Sequence, residues 1–163
     1  MVTLLEYKDE AVQMKRLIQQ FWFCHSNASQ TDEEATKDLA AWTEKGHRLF
    51  FIQYDKKSVG FVHLGSRGGR IDWLEDLFVI PEYQNRGIGT KAIQLAEDIV
   101  KEYSISMYIE AAARNEKAIR LYRNLGYDCL NSITVRKDFD SSGLVCTRKE
   151  QLYGRDFEIR KVK

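Results

Sequence analysis

A segment in the middle of the chain joins a strand pattern to a helix pattern through two glycines, and it constrains the fold more than any other feature. The apolar run 77–80 precedes a loop at 81–86, and Gly87 and Gly89 then open a stretch with apolar residues at helical spacing. The first turn of a helix leaves about four backbone N–H groups unpaired, and its dipole favours an anion. Because glycines let the backbone approach an anion closely, we predict a pyrophosphate-binding loop. The Gly-x-Gly spacing by itself favours the alternative, a helix start without a ligand. The motif also lacks the third glycine of the dinucleotide fingerprint.

Hydrophobic periodicity predicts the remaining elements. Apolar residues three and four apart indicate helices, and short apolar runs bounded by turn residues indicate strands. The predicted strands are 2–7, 49–52, 59–62, 71–80, 106–111, 127–136 and 156–161, and the predicted helices are 8–22, about 32–45 with Thr31 or Asp32 as N-cap, one from Gly87, and 115–125. A helical crossover makes strands 71–80 and 106–111 parallel. The predicted fold class is α/β with a mixed sheet, in the order β-α-α-β-β-β-α-β-α-β-β.

Composition narrows the class of protein and its location. The 163 residues fit one domain, 1–163, and the net charge of +1 argues against broad nucleic-acid binding, although a local basic patch stays open. No apolar run approaches the roughly 20 residues that span a bilayer, and the N-terminus does not resemble a signal peptide. We therefore expect a cytoplasmic protein without a membrane partner. Cys24, Cys129 and Cys146 lack metal-ligand spacing, which favours reduced thiols and no metal.

Four segments around the two glycines resemble the GNAT superfamily of acyl-CoA N-acyltransferases. They are Leu74–Tyr83, the Gln-x-x-Gly-x-Gly match at Gln84–Gly89, Ala113–Ile119 and Leu121–Tyr127. The resemblance covers about residues 47–139 well and leaves 140–163 as a C-terminal extension. It implies a centrally splayed sheet flanked by about four helices, acetyl-CoA as cosubstrate, and a homodimer.

The resemblance also assigns cofactor contacts. It implies that one strand pairs its backbone with the pantetheine arm of acetyl-CoA and that the glycine loop binds the pyrophosphate. The implied cofactor-binding residues are Leu77, Phe78, Val79, Gln84, Asn85, Arg86, Gly87, Ile88, Gly89, Thr90 and Asn115. For Asn115 the alternative is a helix N-cap.

The implied reaction is direct attack of a primary amine on the thioester, which needs a base and an acid. Side-chain alternation places Glu75 and Asp76 on opposite faces of their strand unless a bulge intervenes. The resemblance favours Glu75 as base with Glu110 second, and Tyr122 as acid, although Tyr122 also fits the apolar stripe of its helix. The implied oxyanion donor is the backbone N–H of Phe78 or Leu77. His25 and His63 have no identified partner in the sequence and stay outside the predicted site.

The acceptor is less constrained than the donor. Acidic residues that we expect near the acceptor pocket favour a small cationic amine, although the first three also suit a solvated helix start: Asp32, Glu33, Glu34, Asp72, Glu75 and Glu110. A lysine side chain or N-terminal amine of a peptide is the alternative substrate. An inactive acyl-CoA sensor or scaffold, or a regulator that binds another nucleotide, are the alternative functions.

Overall fold

A five-stranded sheet organises the first of two compact units, Met1–Glu110 and Ala111–Lys163, in the computed structural model, which describes residues 1–163. Its strands lie in chain order: β1 Val2–Glu6, β2 His47–Tyr54, β3 Lys57–Gly65, β4 Trp73–Val79 and β5 Tyr108–Ile109. The first three pairings are antiparallel, and β4 pairs with β5 in parallel. The predicted mixed α/β class and parallel crossover are confirmed. The prediction of one domain over residues 1–163 stays a prediction.

Two helices cover one face of this sheet. They are α1, Ala11–Ser26, and α2, Asp32–Trp42, so α1 begins and ends about three residues later than predicted. A capping box starts α2: the Thr31 hydroxyl accepts from the Glu34 N–H, and the Glu34 carboxylate accepts from the Thr31 N–H. The helices and strands share a buried core of Met14, Leu17, Ile18, Ala35, Leu39, Leu49, Phe51, Phe61 and Phe78.

The opposite face of the sheet is covered by α3, Ile88–Lys101. Its buried residues are Ile88, Ala92, Ile93, Ala96 and Val100. A Cβ atom built on Gly89 would lie 3.7 Å from Leu77 Cδ2 and 4.0 Å from Val79 Cγ2. Leu77 and Val79 therefore point towards α3, whereas Phe78 between them packs with α1 and α2.

A β-bulge in β4 overturns the predicted side-chain alternation. His63 is opposite Asp76 and Leu64 is opposite Leu74, so Glu75 is an extra residue without a partner on β3. Asp76 bonds to the His63 side chain, and the Glu75 side chain lies over Gly65, two residues further along the same face of β3. Glu75 and Asp76 consequently share the α1–α2 face. Strict alternation, which places them on opposite faces, is wrong at this point.

The second unit contains one helix and one hairpin. They are α4, Glu116–Asn124, and the antiparallel strands β6, Leu144–Leu152, and β7, Arg155–Val162, joined by Tyr153 and Gly154 with positive φ angles of 52° and 70°. This two-residue turn matches the twist of a hairpin. The predicted strand at 127–136 is wrong, because those residues have no strand partner, whereas the unpredicted β6 has β7.

Candidate functional site

One edge of β4 is open over most of its length. Strand β5 pairs with β4 only at Trp73 and Leu74, so residues 75–79 have no partner strand on that side. The Ile80 N–H donates to the Val59 carbonyl on β3 at 2.9 Å. In an antiparallel ladder the backbone groups alternate in direction, so those of Phe78 also face β3 and those of Leu77 face the open edge. Of the two predicted oxyanion donors, Leu77 therefore has the suitable direction.

The loop after β4 is held back against that strand. A short 3₁₀ turn, Pro81–Tyr83, leads into Gln84, whose side-chain amide donates to the Val79 carbonyl at 2.7 Å. The guanidinium carbon of Arg86 lies 5.2 Å from the centre of the Tyr83 ring. These contacts place the basic side chain of the loop beside the start of α3.

The start of α3 has the geometry predicted for an anion site. Gly87 is the N-cap with φ of 74°, and no side chain caps the helix. The first hydrogen bond within α3 runs from the Lys91 N–H to the Gly87 carbonyl at 3.0 Å. The N–H groups of Ile88, Gly89 and Thr90 consequently have no carbonyl acceptor within the helix, and they can serve an external anion.

The two predicted bases bind the same guanidinium. Arg67 Nη2 lies 2.8 Å from Glu75 Oε2, and Arg67 Nη1 lies 2.5 Å from Glu110 Oε2. The guanidinium carbon of Arg67 also lies 3.8 Å from the centre of the Trp73 ring, which stacks on Tyr108. The hydrogen bonds from Arg67 lower the pKa of Glu75, and burial opposes that change. Two carboxylates and an aromatic face thus form a site for a planar or compact cation.

Replacing Arg67 by methionine is expected to raise the pKa of Glu75. The Arg67–Glu75 pair stabilises the folded chain above the unfolded pKa of a glutamate, about 4.3, and this stabilisation is lost as the pH falls through the lower folded-state pKa. The loss in free energy of unfolding should be about 1 kcal/mol at pH 7 and should shrink towards pH 3. Urea unfolding at both pH values measures it.

Arg70→Met is the matched control, because Arg70 lies in the same loop and donates to the Tyr103 backbone carbonyl instead of a carboxylate. Its effect on the free energy of unfolding should not depend on pH in this range. A loss for Arg67→Met that is equal at pH 7 and pH 3 would contradict the assigned ion pair.

A buried chain of hydrogen bonds lies on the same face as Glu75. His63 Nδ1 is 2.8 Å from Asp76 Oδ2, and His63 Nε2 is 2.9 Å from His47 Nδ1. His63 is only 2% exposed, and the Trp42 ring stacks on it with centres 4.8 Å apart. Sequence reasoning left His63 out and did not single out His47, because their contact depends on the register between β2 and β3.

The remaining predicted residues have identifiable local roles. Asn115 caps α4, since its Oδ1 accepts from the Ala118 N–H at 3.2 Å. Tyr122 is half-buried in α4 with its ring 6.1 Å from that of Tyr127, and burial raises the pKa of Tyr122. Its hydroxyl is therefore protonated at neutral pH. His25, the third histidine, is exposed and stacks on Phe21.

The acidic start of α2 contributes mainly to local structure. Asp32 pairs with Lys15 at 2.7 Å, and Glu34 completes the capping box. Asp72 accepts from the Ser104 hydroxyl at 2.9 Å. Of the six acidic residues named for the acceptor pocket, only Glu75 and Glu110 bind one common cation.

Three wider properties bear on the class of protein. No cluster of three or more histidine, cysteine, aspartate or glutamate side chains is arranged to hold a metal ion. All three cysteines are free and exposed. None of the helices combines the length and the apolar character that crossing a membrane requires.

A mixed sheet that opens beside β4, followed by a glycine-capped helix, defines the N-acetyltransferase class of α/β fold. The chain belongs to the acetyltransferase (GNAT) family, whose model matches residues 13–127. The resemblance identified in the sequence is confirmed at the level of the family and its fold.

Curated relatives match a part of the chain. Thialysine N-epsilon-acetyltransferase of Mus musculus is 39% identical over 59 residues, which are 36% of this chain and 35% of the relative. Spermidine N(1)-acetyltransferase of Escherichia coli K12 is 30% identical over 89 residues, which are 52% of this chain and 47% of the relative. The matched segments thus span about a third to a half of these relatives.

Solved structures share the fold over most of the chain. A possible acetyltransferase from Clostridium difficile 630 has a TM-score of 0.69 at 15% identity, covering 86% of this chain and 99% of that one. The aminoglycoside acetyltransferase AAC(6')-Iy, in complex with a bisubstrate analog joining CoA to acetylneamine, has a TM-score of 0.64 at 17% identity, covering 85% and 99%. At these identities the similarity establishes the fold alone.

Proposed function

We propose that the chain transfers an acetyl group from acetyl-CoA to a primary amine. The observation that carries the proposal is the open edge of β4, which runs directly into the uncapped N–H groups of α3 in a chain of the GNAT family. Relatives named for the acetylation of thialysine and spermidine support an amine acceptor. Cytoplasmic location and a homodimer stay predictions.

The proposed cofactor contacts follow the two parts of this edge. The backbone of residues 77–79 pairs with the extended arm of acetyl-CoA, and the loop 84–90 receives its pyrophosphate on N–H groups beside Arg86. The Asn115 side chain, which caps α4, also makes a polar contact with the arm of acetyl-CoA in this proposal. Acetyl-CoA supplies an activated acetyl group as a thioester.

The proposed chemistry needs one group that removes a proton and one that donates a proton. An alkyl ammonium has a pKa near 10.4, so about one molecule in a thousand is neutral at pH 7.4. Glu75, with Glu110 as the second candidate, removes that proton, and such a base contributes roughly 10²–10⁴-fold. Tyr122, protonated at neutral pH, donates to the leaving sulfur. The Leu77 N–H, which points to the open edge of β4, donates to the thioester carbonyl oxygen and polarises it.

The preferred acceptor in this proposal is a cationic amine. Glu75, Glu110 and the Trp73 ring already bind a guanidinium, and an ammonium group meets the same needs of charge and ring contact. Arg67 must release the carboxylates before such a substrate can bind. A lysine side chain of a peptide fits the same chemistry.

An acceptor screen tests the proposal. The purified chain is mixed with acetyl-CoA and a panel of spermidine, thialysine, a lysine peptide, an aminoglycoside and a neutral alkanol, and thiol release is followed. We expect amine-dependent release that is largest for a cationic amine. No release with any amine, while CoA still binds, would contradict the proposed transfer and support an inactive acyl-CoA sensor.

Two glycine variants control for the assigned cofactor loop. Gly87 and Gly68 both have positive φ, of 74° and 91°, and a Cβ at either position meets nothing within 4 Å. Valine at either position should therefore cost a similar strain energy, roughly 1–2 kcal/mol. CoA at 100 times its dissociation constant should stabilise the folded chain by about 2.7 kcal/mol. Only Gly87→Val should also reduce this stabilisation. Stabilisation by ATP or NAD instead of CoA would favour the nucleotide-binding regulator.

A further inference from the structure

We propose that His47, His63 and Asp76 form a proton relay that takes the amine's proton from Glu75 and carries it into the sheet. This inference rests on the proposed function and adds to it a route for the proton after the base has removed it. The relay is defined by two hydrogen bonds, Asp76 Oδ2 to His63 Nδ1 at 2.8 Å and His63 Nε2 to His47 Nδ1 at 2.9 Å.

The chemistry of the three groups determines where the hydrogens lie. An ionised carboxylate only accepts, so His63 Nδ1 carries the hydrogen that it donates to Asp76. A neutral imidazole has one donor and one acceptor, so His63 Nε2 accepts and His47 Nδ1 donates to it. The Nε2 of His47 is consequently left with a lone pair. The outer end of this chain of hydrogen bonds, Nε2 of His47, is thus a proton acceptor when both rings are neutral.

A proton can travel inwards along this chain without a change in its hydrogen bonds. When His47 Nε2 takes up a proton, His47 Nδ1 passes its own hydrogen to His63 Nε2, and His47 is neutral again. The imidazolium then lies on His63, beside the Asp76 carboxylate that stabilises it. One proton is gained at Nε2 of His47 and one positive charge appears on His63, so the transfer balances. The proton leaves to water by the reverse steps through His47, which is half-buried, and this restores the neutral pair.

The bulge in β4 places Glu75 on the same face of the sheet as the histidine pair. His47 is the register partner of Gly65 across the β2–β3 pair, and the Glu75 side chain lies over Gly65, where a Cβ would be 2.7 Å from Glu75 Cγ. Because Gly65 has no side chain, the Glu75 side chain can extend over it, beside the strand position that pairs with His47. The charges of His63 and His47 both act on Glu75 and contribute to the lowering of its pKa.

The direction of transfer follows from the relative acidity of the groups. A glutamate carboxyl is ordinarily a stronger acid than an imidazolium, with reference pKa values near 4.3 and 6.5. A protonated carboxyl group therefore gives its proton to a neutral imidazole with a gain in free energy. Glu75 is left ionised for the next ammonium group.

Few other groups face the histidine pair. From β4 these are Asp76 and Glu75, and from the β3–β4 loop the Arg67 guanidinium reaches Glu75. From α2 the pair meets the uncharged Trp42 ring, which stacks on His63. No lysine or arginine side chain bonds to either histidine, so the charged groups nearest to the pair are the two carboxylates.

The first test reads the hydrogen positions directly by nitrogen NMR of the imidazole rings in the unaltered chain. The chain has only three histidines, so His47→Gln, His63→Gln and His25→Gln assign every signal. We expect His47 and His63 in the Nδ1–H form near pH 8, and His25 without that constraint. An Nε2–H form of His47 would overturn the relay, whether or not the chain acetylates amines.

The second test measures the pH dependence of kcat with spermidine, or with the best acceptor of the panel. We expect kcat of the unaltered chain to fall at acidic pH, because a charged imidazole pair cannot accept another proton. His47→Gln should lower kcat roughly 10-fold at pH 7, below the 10²–10⁴-fold of a direct base, and should remove this fall. His47 is half-buried and not part of the hydrophobic core, so this variant should keep the fold.

Controls separate the relay from folding and from the proposed function. Asp76→Asn should displace the fall in kcat to lower pH, because His63 loses the carboxylate that stabilises its charged form. His25→Gln should match the unaltered chain. If His47→Gln keeps the unaltered pH profile, the relay is overturned while the proposed function stands. If the unaltered chain acetylates none of the amines, the proposed function fails and the relay's role in it fails too.

Discussion

Glu75→Gln is expected to lower kcat for acetyl transfer by roughly 10²–10⁴-fold, the contribution of a positioned general base. Glutamine preserves the shape of the side chain and its contact over Gly65, but it cannot accept the ammonium proton. The assignment to Glu75 has a structural reason. The β4 bulge directs its carboxylate to the α1–α2 face, at the residue where the open edge of β4 begins.

Glu110→Gln is the matched variant, because Glu110 binds the same guanidinium from the neighbouring strand. The Glu110 side chain is 63% exposed, against 21% for Glu75, so water screens it more and it is the weaker candidate. We expect Glu110→Gln to change kcat by less than 10-fold and to act mainly on KM for a cationic amine. Steady-state kinetics at saturating acetyl-CoA between pH 6 and 9 measures both.

The opposite pattern would reassign the base. If Glu110→Gln lowers kcat by orders of magnitude and Glu75→Gln does not, Glu110 removes the proton and the carboxylate on the bulge only binds the substrate. Equal small effects from both variants would exclude either as the base. Thermal unfolding of each variant shows whether a loss of activity reflects a loss of the folded state.

Tyr122→Phe is expected to lower kcat by roughly 100-fold and to leave CoA affinity nearly unchanged. The change removes only the hydroxyl hydrogen bond donor, which burial keeps protonated at neutral pH by raising the pKa of Tyr122. The phenyl ring retains its packing near Tyr127. Turnover of the best acceptor gives kcat, and the thermal stabilisation by CoA gives the affinity.

Tyr153→Phe provides the control for Tyr122. Tyr153 lies in the turn of the β6–β7 hairpin and is 86% exposed, so removing its hydroxyl should change neither quantity. Unchanged turnover in Tyr122→Phe would exclude Tyr122 as the acid. A parallel loss of CoA affinity would instead indicate that its hydroxyl binds the cofactor.

Arg67 connects the acceptor to the proton chemistry in a way that composition does not reveal. One guanidinium binds both candidate bases and a ring, so a cationic amine that binds there as proposed would have to exchange with it. The exchange preserves the charge balance of the site. While no substrate is bound, Arg67 keeps Glu75 ionised, because the hydrogen bonds from Arg67 lower the pKa of Glu75.

Local interactions account for the features that sequence reasoning predicted. The glycine-capped start of α3, the N-cap of α2 at Thr31 and the order of the elements depend on residues within one or two turns of each other. Such short-range preferences are legible in a single sequence. The family followed from the same residues, because the strand, the glycine loop and the Leu-Gly-Tyr segment carry its pattern.

Residues far apart in the chain decided the rest. The β4 bulge places Glu75 beside Asp76, and strand register brings His47 to His63 and Arg67 to Glu110, across separations of 16 and 43 residues. The predicted strand at 127–136 is wrong for a related reason: an apolar pattern becomes a strand only when another strand offers hydrogen bonds. The sequence by itself determined the family and the glycine-capped start of α3. The tertiary structure alone decided which carboxylates and imidazoles share a face, because a shift of one residue reverses the direction of a side chain.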